Sequence, residues 1–375
     1  MNIYKQIVRP VLFALSQKDP ETAHNLALWA LKRLGSRHEG LCLKLHAITK
    51  RPIDWGNVLE QKIFNARFAN PVGLAAGFDK NGEAIRGLAA LGFGFLEIGT
   101  VTMNPQEGNP RPRMFRYPED GAIINRMGFN NKGVDAMMNT LAVTQYTETP
   151  LGISLGKRKA TPMEGATTEY AALFLGLHTL GDYFAINVSS PNTPNLRTLQ
   201  EKTQLRQIVV AMKMVDEEVV RYKTDKQKPI LVKIAPDLSW GAIDDVLDVC
   251  LSEKVDGIIA ANTTIGREGL LTPTTEAGGL SGNPLWPRSF DIVRYIYRKT
   301  GGRLPIIGVG GIWSAERAFA MMKAGASLVQ IFTSFIYEGP FVVRNINRGL
   351  LEIFDREGIK HISEIIGKEA GHVKT

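Results

Sequence analysis

Cysteine is nearly absent from this 375-residue chain, whose two, Cys42 and Cys250, stand far apart. That excludes a disulfide scaffold, a Cys-ligated iron–sulfur cluster and a zinc ribbon, and it fits a reducing compartment. Long hydrophobic runs are missing as well. The longest apolar stretch near the start, 11–15, is too short for a signal-peptide core or a membrane span, so the chain is expected to be neither secreted nor transmembrane. His24, His38, His46, His178, His361 and His372 have no metal-ligand spacing, and no metal site is expected. No GxGxxG supports a Rossmann dinucleotide site, and no GxSxG elbow supports acyl-enzyme chemistry.

What is present is an average globular composition, 44% hydrophobic and 22% charged, with a net charge of +8. Such an excess suits anionic partners such as phosphates, acidic substrates or a membrane surface, and does not specify nucleic acid. It is concentrated at the start, where residues 1–50 hold eight Lys/Arg against three acids. There Asp19 and Pro20 read as the N-cap and first residue of a helix, and Gly35 as its stop. Ala23, Leu26, Ala27, Ala30, Leu31 and Leu34 form its stripe, with Leu28 and Trp29 off it. Leu41, Leu43, Leu45 and Ile48 continue in a third amphipathic piece. An apolar surface this wide exceeds one packing face. Residues 1–50 are therefore either a helical cap on the main domain or a membrane-surface module whose Lys/Arg meet anionic headgroups.

Farther on, eight short apolar runs recur at 71–77, 95–101, 151–156, 183–190, 229–236, 257–263, 305–312 and 328–333. Helical periodicity lies between several of them, at 83–91, 205–220, 243–251 and 315–324. The alternation predicts an α/β chain, a (β/α)8 TIM barrel over 71–365, after a linker at 51–70 with a break at 52–56 and before a tail at 366–375. The Pro/Arg-rich 104–128 segment, followed by a helix near 133–141, predicts an insertion over the barrel mouth.

In such a barrel the chemistry sits at the C-terminal strand ends. These read AAGFDK (75–80), EIGTVT (97–102), NVSSPNT (187–193), LVKIAPD (231–237), ANTT (261–264) and GVGGI (308–312). GVGGI and the following QIFTS (330–334) flank the usual phosphate position, and GGLSG (278–282) could help close it. Lys233, in mid-strand, needs an anion, either a structural partner or negative charge on a bound electron sink. Asn125, Asn187, Asn192 and Asn262 on one rim suit a flat ligand with alternating amide N–H and C=O groups, and Lys80 suits a carboxylate on it. Ser190 is either a loop-capping residue or a base toward an acidified C–H, helped by a hydrogen-bonded Thr193.

Taken together, AAGFDKNGEA, EIGTVT, PQEGNPRPRMFR, INRMGFNNKG, NVSSPNTPNLR, LVKIAPD, ANTT, GGLSG and IIGVGGI closely resemble class 2, quinone-dependent dihydroorotate dehydrogenases over nearly the whole chain. The resemblance implies an FMN-binding barrel preceded by membrane-associating helices that form a quinone tunnel. It places Ala76, Gly77, Phe78, Asp79, Lys80, Thr100, Asn187, Lys233, Gly282, Gly311, Phe332 and Thr333 at flavin-contacting positions. Lys80, Asn125, Arg126, Met127, Gly128, Phe129, Asn192, Asn262 and Thr263 fall at substrate-contacting positions, with Asn187 beside them. Ser190 falls at the catalytic base, which removes a proton from carbon 5 of dihydroorotate while carbon 6 passes hydride to flavin N5. His24 and Arg116 match positions near the quinone pocket.

Three residues depart from the family pattern. Ser154 stands where an Asn is usual at a flavin- and substrate-contacting position, Ala261 replaces a Thr, and Phe332 replaces a Tyr whose hydroxyl would face the quinone side. The resemblance further implies a monomer on the cytoplasmic side of the cell inner membrane, working in pyrimidine biosynthesis without nucleic acid. Two rivals are an FMN barrel oxidoreductase with a soluble acceptor and a membrane flavoprotein that has lost catalysis.

Overall fold

The computed structural model describes residues 3–37, 57–144, 148–223 and 226–371. The third amphipathic piece, the break at 52–56, Cys42, His38, His46 and His372 lie outside the described residues.

Each of the eight apolar runs forms a strand, and all eight pair in parallel into a closed barrel. The strands are β3 (Val72–Leu74), β4 (Phe95–Val101), β7 (Leu151–Leu155), β8 (Tyr183–Asn187), β9 (Ile230–Ile234), β10 (Gly257–Ala260), β12 (Ile306–Val309) and β13 (Leu328–Ile331). The intervening helices are α3 (Ile85–Ala89), α4 (Gly133–Val143), α5 (Ala166–Leu177), α6 (Lys202–Lys223), α7 (Trp240–Ser252), α8 (Trp286–Thr300) and α9 (Ala315–Lys323), with α10 (Thr333–Glu338) and α11 (Val342–Glu357) after the last strand. Helices cover the outer strand faces, so the strands are apolar on both sides and read as continuous runs rather than alternations.

The 104–128 insertion is a hairpin, β5 (Met114–Tyr117) and β6 (Ala122–Asn125), joined by β11 (Gly279–Gly282) into a three-stranded antiparallel sheet. GGLSG is therefore largely a strand on the mouth hairpin, although Gly282 also reaches the pocket described below.

Inside the barrel, side chains stack in layers. The lowest holds Phe95, Tyr183, Leu231 and Leu328, all buried. Gly73 and Gly152 make room for it, because a Cβ at either would fall 2.3 Å from the Phe95 ring or 2.0 Å from the Tyr183 ring. Beneath lies an element that sequence reading took for linker. Residues 61–68 form a tight hairpin, β1 (Gln61–Ile63) and β2 (Ala66–Phe68), whose Phe64 and Phe68 seal the barrel floor. The expected 366–375 tail also begins as packed structure: Gly367 and Glu369 donate their N–H groups to Met322 and Lys323, and Ala370 is buried.

The N-terminal region folds as a π-helical turn, Tyr4–Val8, running into α1 (Arg9–Leu15), then α2 (Pro20–Arg37). Asp19 caps α2 as expected, its carboxylate accepting the Glu21 N–H at 3.1 Å. Gly35 does not stop the helix. It lies where α2 crosses α3, and a Cβ there would meet Arg86 Cβ and Gly87 N, each at 3.0 Å. The packing face also differs from the expected stripe. Ala23, Ala27, Leu31 and Leu34 of that stripe are half-buried as expected, but Leu26 and Ala30 are exposed and Glu21, His24, Leu28 and Gly35 are covered in their place. With Trp29, Ile3, Ile7, Val8, Val11 and Leu15, Leu26 leaves an exposed apolar face on these helices. No helix among the described residues is long and apolar enough to cross a membrane.

Candidate active site

Above the aromatic layer the barrel interior turns polar. Lys233 and Glu97 project inward from β9 and β4, and the ammonium donates to Glu97 Oε1 at 3.0 Å with both side chains buried. Glu97 Oε2 accepts Gln330 Nε2 at 2.8 Å and the Tyr183 hydroxyl at 3.2 Å. The anion that Lys233 requires is thus built into the barrel. Glu97 and Gln330 carry no role in the sequence reading, although Glu97 is the one charged residue of β4 and Gln330 the one polar residue of β13.

This layer underlies a cavity with about 1180 Å³ of empty space including its open mouth. Of the expected residues, Ala76, Gly77, Lys80, Thr100, Asn125, Met127, Gly128, Phe129, Asn187, Ser190, Asn192, Lys233, Ala261, Asn262, Thr263, Gly282, Gly311, Phe332 and Thr333 line it. Its apolar side, Met114, Ile123, Ile312, Trp313 and Ile331, went largely unforeseen.

The four asparagines converge through hydrogen bonds. Asn262 Nδ2 donates to Asn187 Oδ1 at 3.3 Å and to Ser189 Oγ at 2.9 Å. Asn187 Nδ2 donates to Thr100 Oγ1 at 2.8 Å, and Asn192 Nδ2 to Asn125 O at 3.1 Å. Lys80 donates to Gly77 O at 2.7 Å. Burial lowers its ammonium to about 8, with Glu21 and Asp79 pulling upward and Arg113 downward.

Seven expected residues sit elsewhere than on the cavity wall. Arg126 turns away, held by its ion pair with Glu276 and by the Phe115 ring it lies over. Asp79 accepts the N–H groups of Glu83 and Ala84 ahead of α3, a capping role. Phe78 belongs to the aromatic packing around Phe332 and Phe335. Ser154 stands behind Thr100, with hydroxyls 2.9 Å apart, so the replaced Asn leaves a contact to the wall rather than to the cavity. The Ser190–Thr193 hydrogen bond is not formed. Ser190 Oγ instead accepts the Asn192 N–H at 3.3 Å, and Thr193 Oγ1 is buried without a partner among the described residues. His24, packed edge-on against Phe78 with ring centroids 4.9 Å apart, is lowered by burial to about 3 and is neutral.

Arg116, the seventh, donates to the carbonyls of Phe13 and Ser16 and lies 4.0 Å over the Phe13 ring. Its Nη1 is buried without a partner among the described residues. Cys250 is buried in α7, and no cluster able to hold a metal occurs among the described residues.

A single mouth that pairs a planar, amide-studded wall with an ammonium and an apolar side defines a (β/α)8-barrel enzyme for a flat anionic ligand. The dihydroorotate dehydrogenase family profile matches residues 58–354. A dihydroorotate dehydrogenase (quinone) from Chloroflexus aurantiacus is 51% identical over 352 residues, covering 93% of this chain and 96% of the relative. The enzyme of the same name from Gloeobacter violaceus is 47% identical, covering 98% and 99%. The Eimeria tenella DHODH crystal structure in complex with ferulenol superposes with a TM-score of 0.85 at 36% identity, covering 96% of this chain and 98% of that one. The chain belongs to the dihydroorotate dehydrogenase family.

Proposed function

We propose that the cavity holds FMN above the Lys233–Glu97 layer and oxidises (S)-dihydroorotate to orotate beside Ser190, with a membrane quinone as final acceptor. The enzyme is a dihydroorotate dehydrogenase of the quinone-dependent class, acting in pyrimidine biosynthesis. The observation that carries the cofactor assignment is a pair of buried polar atoms on the cavity wall without a partner among the described residues, Gln330 Oε1, whose amide shares Glu97 with the Lys233 ammonium, and Ser334 Oγ. They suit the donor–acceptor edge of an isoalloxazine ring. Gly310 and Gly311, at φ +122° and +66°, bring backbone close to the phosphate position between β12 and β13. When bound, FMN accepts two electrons from the substrate and passes them to quinone.

The protein's own part is to bind, orient and deprotonate. Lys80 holds the substrate carboxylate, while Asn125, Asn192 and Asn262 read its amide edges from the rim. Ser190 Oγ, buried and oriented by the Asn192 N–H it accepts, takes the proton from carbon 5 as its own hydroxyl proton passes to water at the open mouth. Lys233, fixed by Glu97, stabilises the negative charge that develops at the ring edge.

The quinone reading rests on Arg116, His24 and the aromatic packing of Phe13, Phe78 and Phe332 between the N-terminal helices and the mouth. The exposed apolar face on α1 and α2, within a basic segment, supports peripheral attachment to a membrane, and its assignment to the cytoplasmic side of the inner membrane comes from the family likeness. The working unit is a monomer. The test is to denature the purified protein, identify the released chromophore, and follow dihydroorotate-dependent reduction of quinone in detergent. A colourless protein that FMN does not reconstitute would overturn the cofactor assignment.

A further inference from the structure

An ion pair joins the N-terminal helix to the substrate rim. Glu21, in the first turn of α2, and Arg113, just before β5, are 3% and 5% exposed. Arg113 Nε and Nη2 each donate to one Glu21 carboxylate oxygen at 2.8 Å, and Arg111 Nη2 adds a third bond at 3.1 Å. Burial alone would raise the Glu21 carboxyl, but its arginine partners and Lys80 outweigh that and hold it below the ordinary range.

The other side of the guanidinium faces the rim. Arg113 Nη1 donates to Glu107 O at 2.6 Å and Asn109 O at 2.9 Å. Asn109 in turn donates its N–H to Met127 O at 3.0 Å and its Nδ2 to Arg126 O at 2.9 Å and Asn192 O at 3.4 Å. The contact is tight, since a Cβ at Gly128 would lie 2.9 Å from the Asn109 side chain. One short path therefore runs from α2 to Met127, Gly128 and Asn192 on the cavity wall.

We propose that Glu21 is a positioning residue for dihydroorotate binding: by fixing Arg113 it sets the 107–109 segment against the substrate rim, so seating of the N-terminal helix and substrate affinity are coupled. The proposal rests on the reading above that Met127, Gly128 and Asn192 contact dihydroorotate. Without the Glu21 charge, Arg113 is a buried guanidinium with no anion on that side, and both the helix and the rim segment lose their common anchor. Because coupling is reciprocal, a ligand on the rim must also hold the helix down.

The test compares wild-type holoenzyme with Glu21→Gln and Glu21→Asp, using a soluble dye as acceptor so that quinone access plays no part. KM for dihydroorotate rises roughly 5–150-fold in Glu21→Gln, the usual span of such couplings. The dye kcat stays close to wild type, and Glu21→Asp recovers part of the loss. A pH profile adds a signature that general loosening would not give. Lys80 is faced by Glu21 and His24 of α2, by Arg113, and by Asp79 of its own loop, and of these Glu21 and Asp79 favour its charged form. Substrate capture needs the ammonium, so kcat/KM falls as pH rises through the Lys80 value, and Glu21→Gln moves that fall to lower pH.

The second measurement needs no variant. Orotate added to wild type slows amide hydrogen exchange in residues 20–35. An unchanged KM in folded Glu21→Gln, or exchange in α2 that ignores orotate, would overturn the coupling while leaving the assigned reaction intact. Wild type that failed to oxidise dihydroorotate would overturn both.

Discussion

Replacing Gly87 by alanine sets two effects of opposite sign against each other. Gly87 lies in α3, where removing a glycine from a helix ordinarily stabilises by roughly 0.5–1 kcal/mol. A Cβ there, however, would stand 2.2 Å from Leu31 O, 2.8 Å from Leu31 C and 3.2 Å from Leu31 Cα. Carbon contacts relax near about 3.5–4 Å, and no rotamer change moves a backbone atom, so α2 must retreat by about an ångström. Overpacking of this kind costs roughly 1–3 kcal/mol. It exceeds the helix gain, for an expected net loss of about 1–2 kcal/mol.

The cheapest relief is to lift α2, because the barrel core does not depend on it. Function should then suffer more than stability. Turnover with long-chain quinone drops well below wild type, while a soluble dye still accepts electrons. Two controls rank the effect. Gly35→Ala meets neighbours only at 3.0 Å and is milder, and Gly241→Ala meets nothing within 4 Å and is neutral or stabilising. Denaturant midpoints and acceptor-specific rates provide the readout. A Gly87→Ala protein as stable as wild type, with unchanged quinone turnover, would refute the crossing argument.

Ser190→Ala slows bleaching of the flavin by dihydroorotate roughly 10²–10⁴-fold in stopped flow and leaves reoxidation by quinone nearly untouched. A wild-type bleaching rate would assign the base elsewhere. Glu97→Gln strands the buried Lys233 ammonium and lowers stability by about 3–5 kcal/mol with loss of retained flavin. An unchanged denaturant midpoint would mean the pair carries no such weight. Salt releases only part of the protein from anionic vesicles and detergent releases the rest, because ions screen Lys/Arg within about 8 Å while apolar insertion persists. Deleting residues 1–50 abolishes long-chain quinone turnover but leaves a dye reaction at saturating dihydroorotate, with KM raised as in Glu21→Gln because Glu21 is lost with the segment. Full quinone turnover by that truncation would make the segment a cap alone.

The barrel was legible because strands covered on both faces carry unbroken apolar runs, and their polar ends mark the mouth. The floor hairpin left no such mark. Its strands are three residues each, and its turn uses Phe64 and Asn65, at φ +51° and +54°, where Asn-Gly would have announced it. Periodicity located α2 but not its rotation, since Leu26, Ala27, Leu28 and Trp29 are apolar all round and the docked side is set by long-range contacts, the Gly35–Gly87 crossing, His24 on Phe78 and Glu21 on Arg113.

At the site, adjacency in sequence misled. Asp79 and Arg126 neighbour true wall residues yet point away from the cavity. Glu97 was legible by the same reasoning applied to Lys233, had each been sought as the other's partner. The Glu21–Arg113 bond joins residues 92 apart in sequence and leaves no local pattern.

Phe64 and Phe68 give the barrel interior the geometry of a blind alley. Among the described residues the cavity opens at the mouth, so dissolved oxygen that reaches a flavin held there would come in by the doorway that substrate and product use, or along the N-terminal helices where quinone is proposed to enter. Protection from stray oxidation is then a matter of traffic rather than of walls. A carrier reduced behind an occupied doorway is sheltered, and one left reduced behind an empty doorway leaks. Peroxide release should therefore track the fraction of time the mouth stands vacant, falling as orotate rises even though orotate itself carries no electrons away.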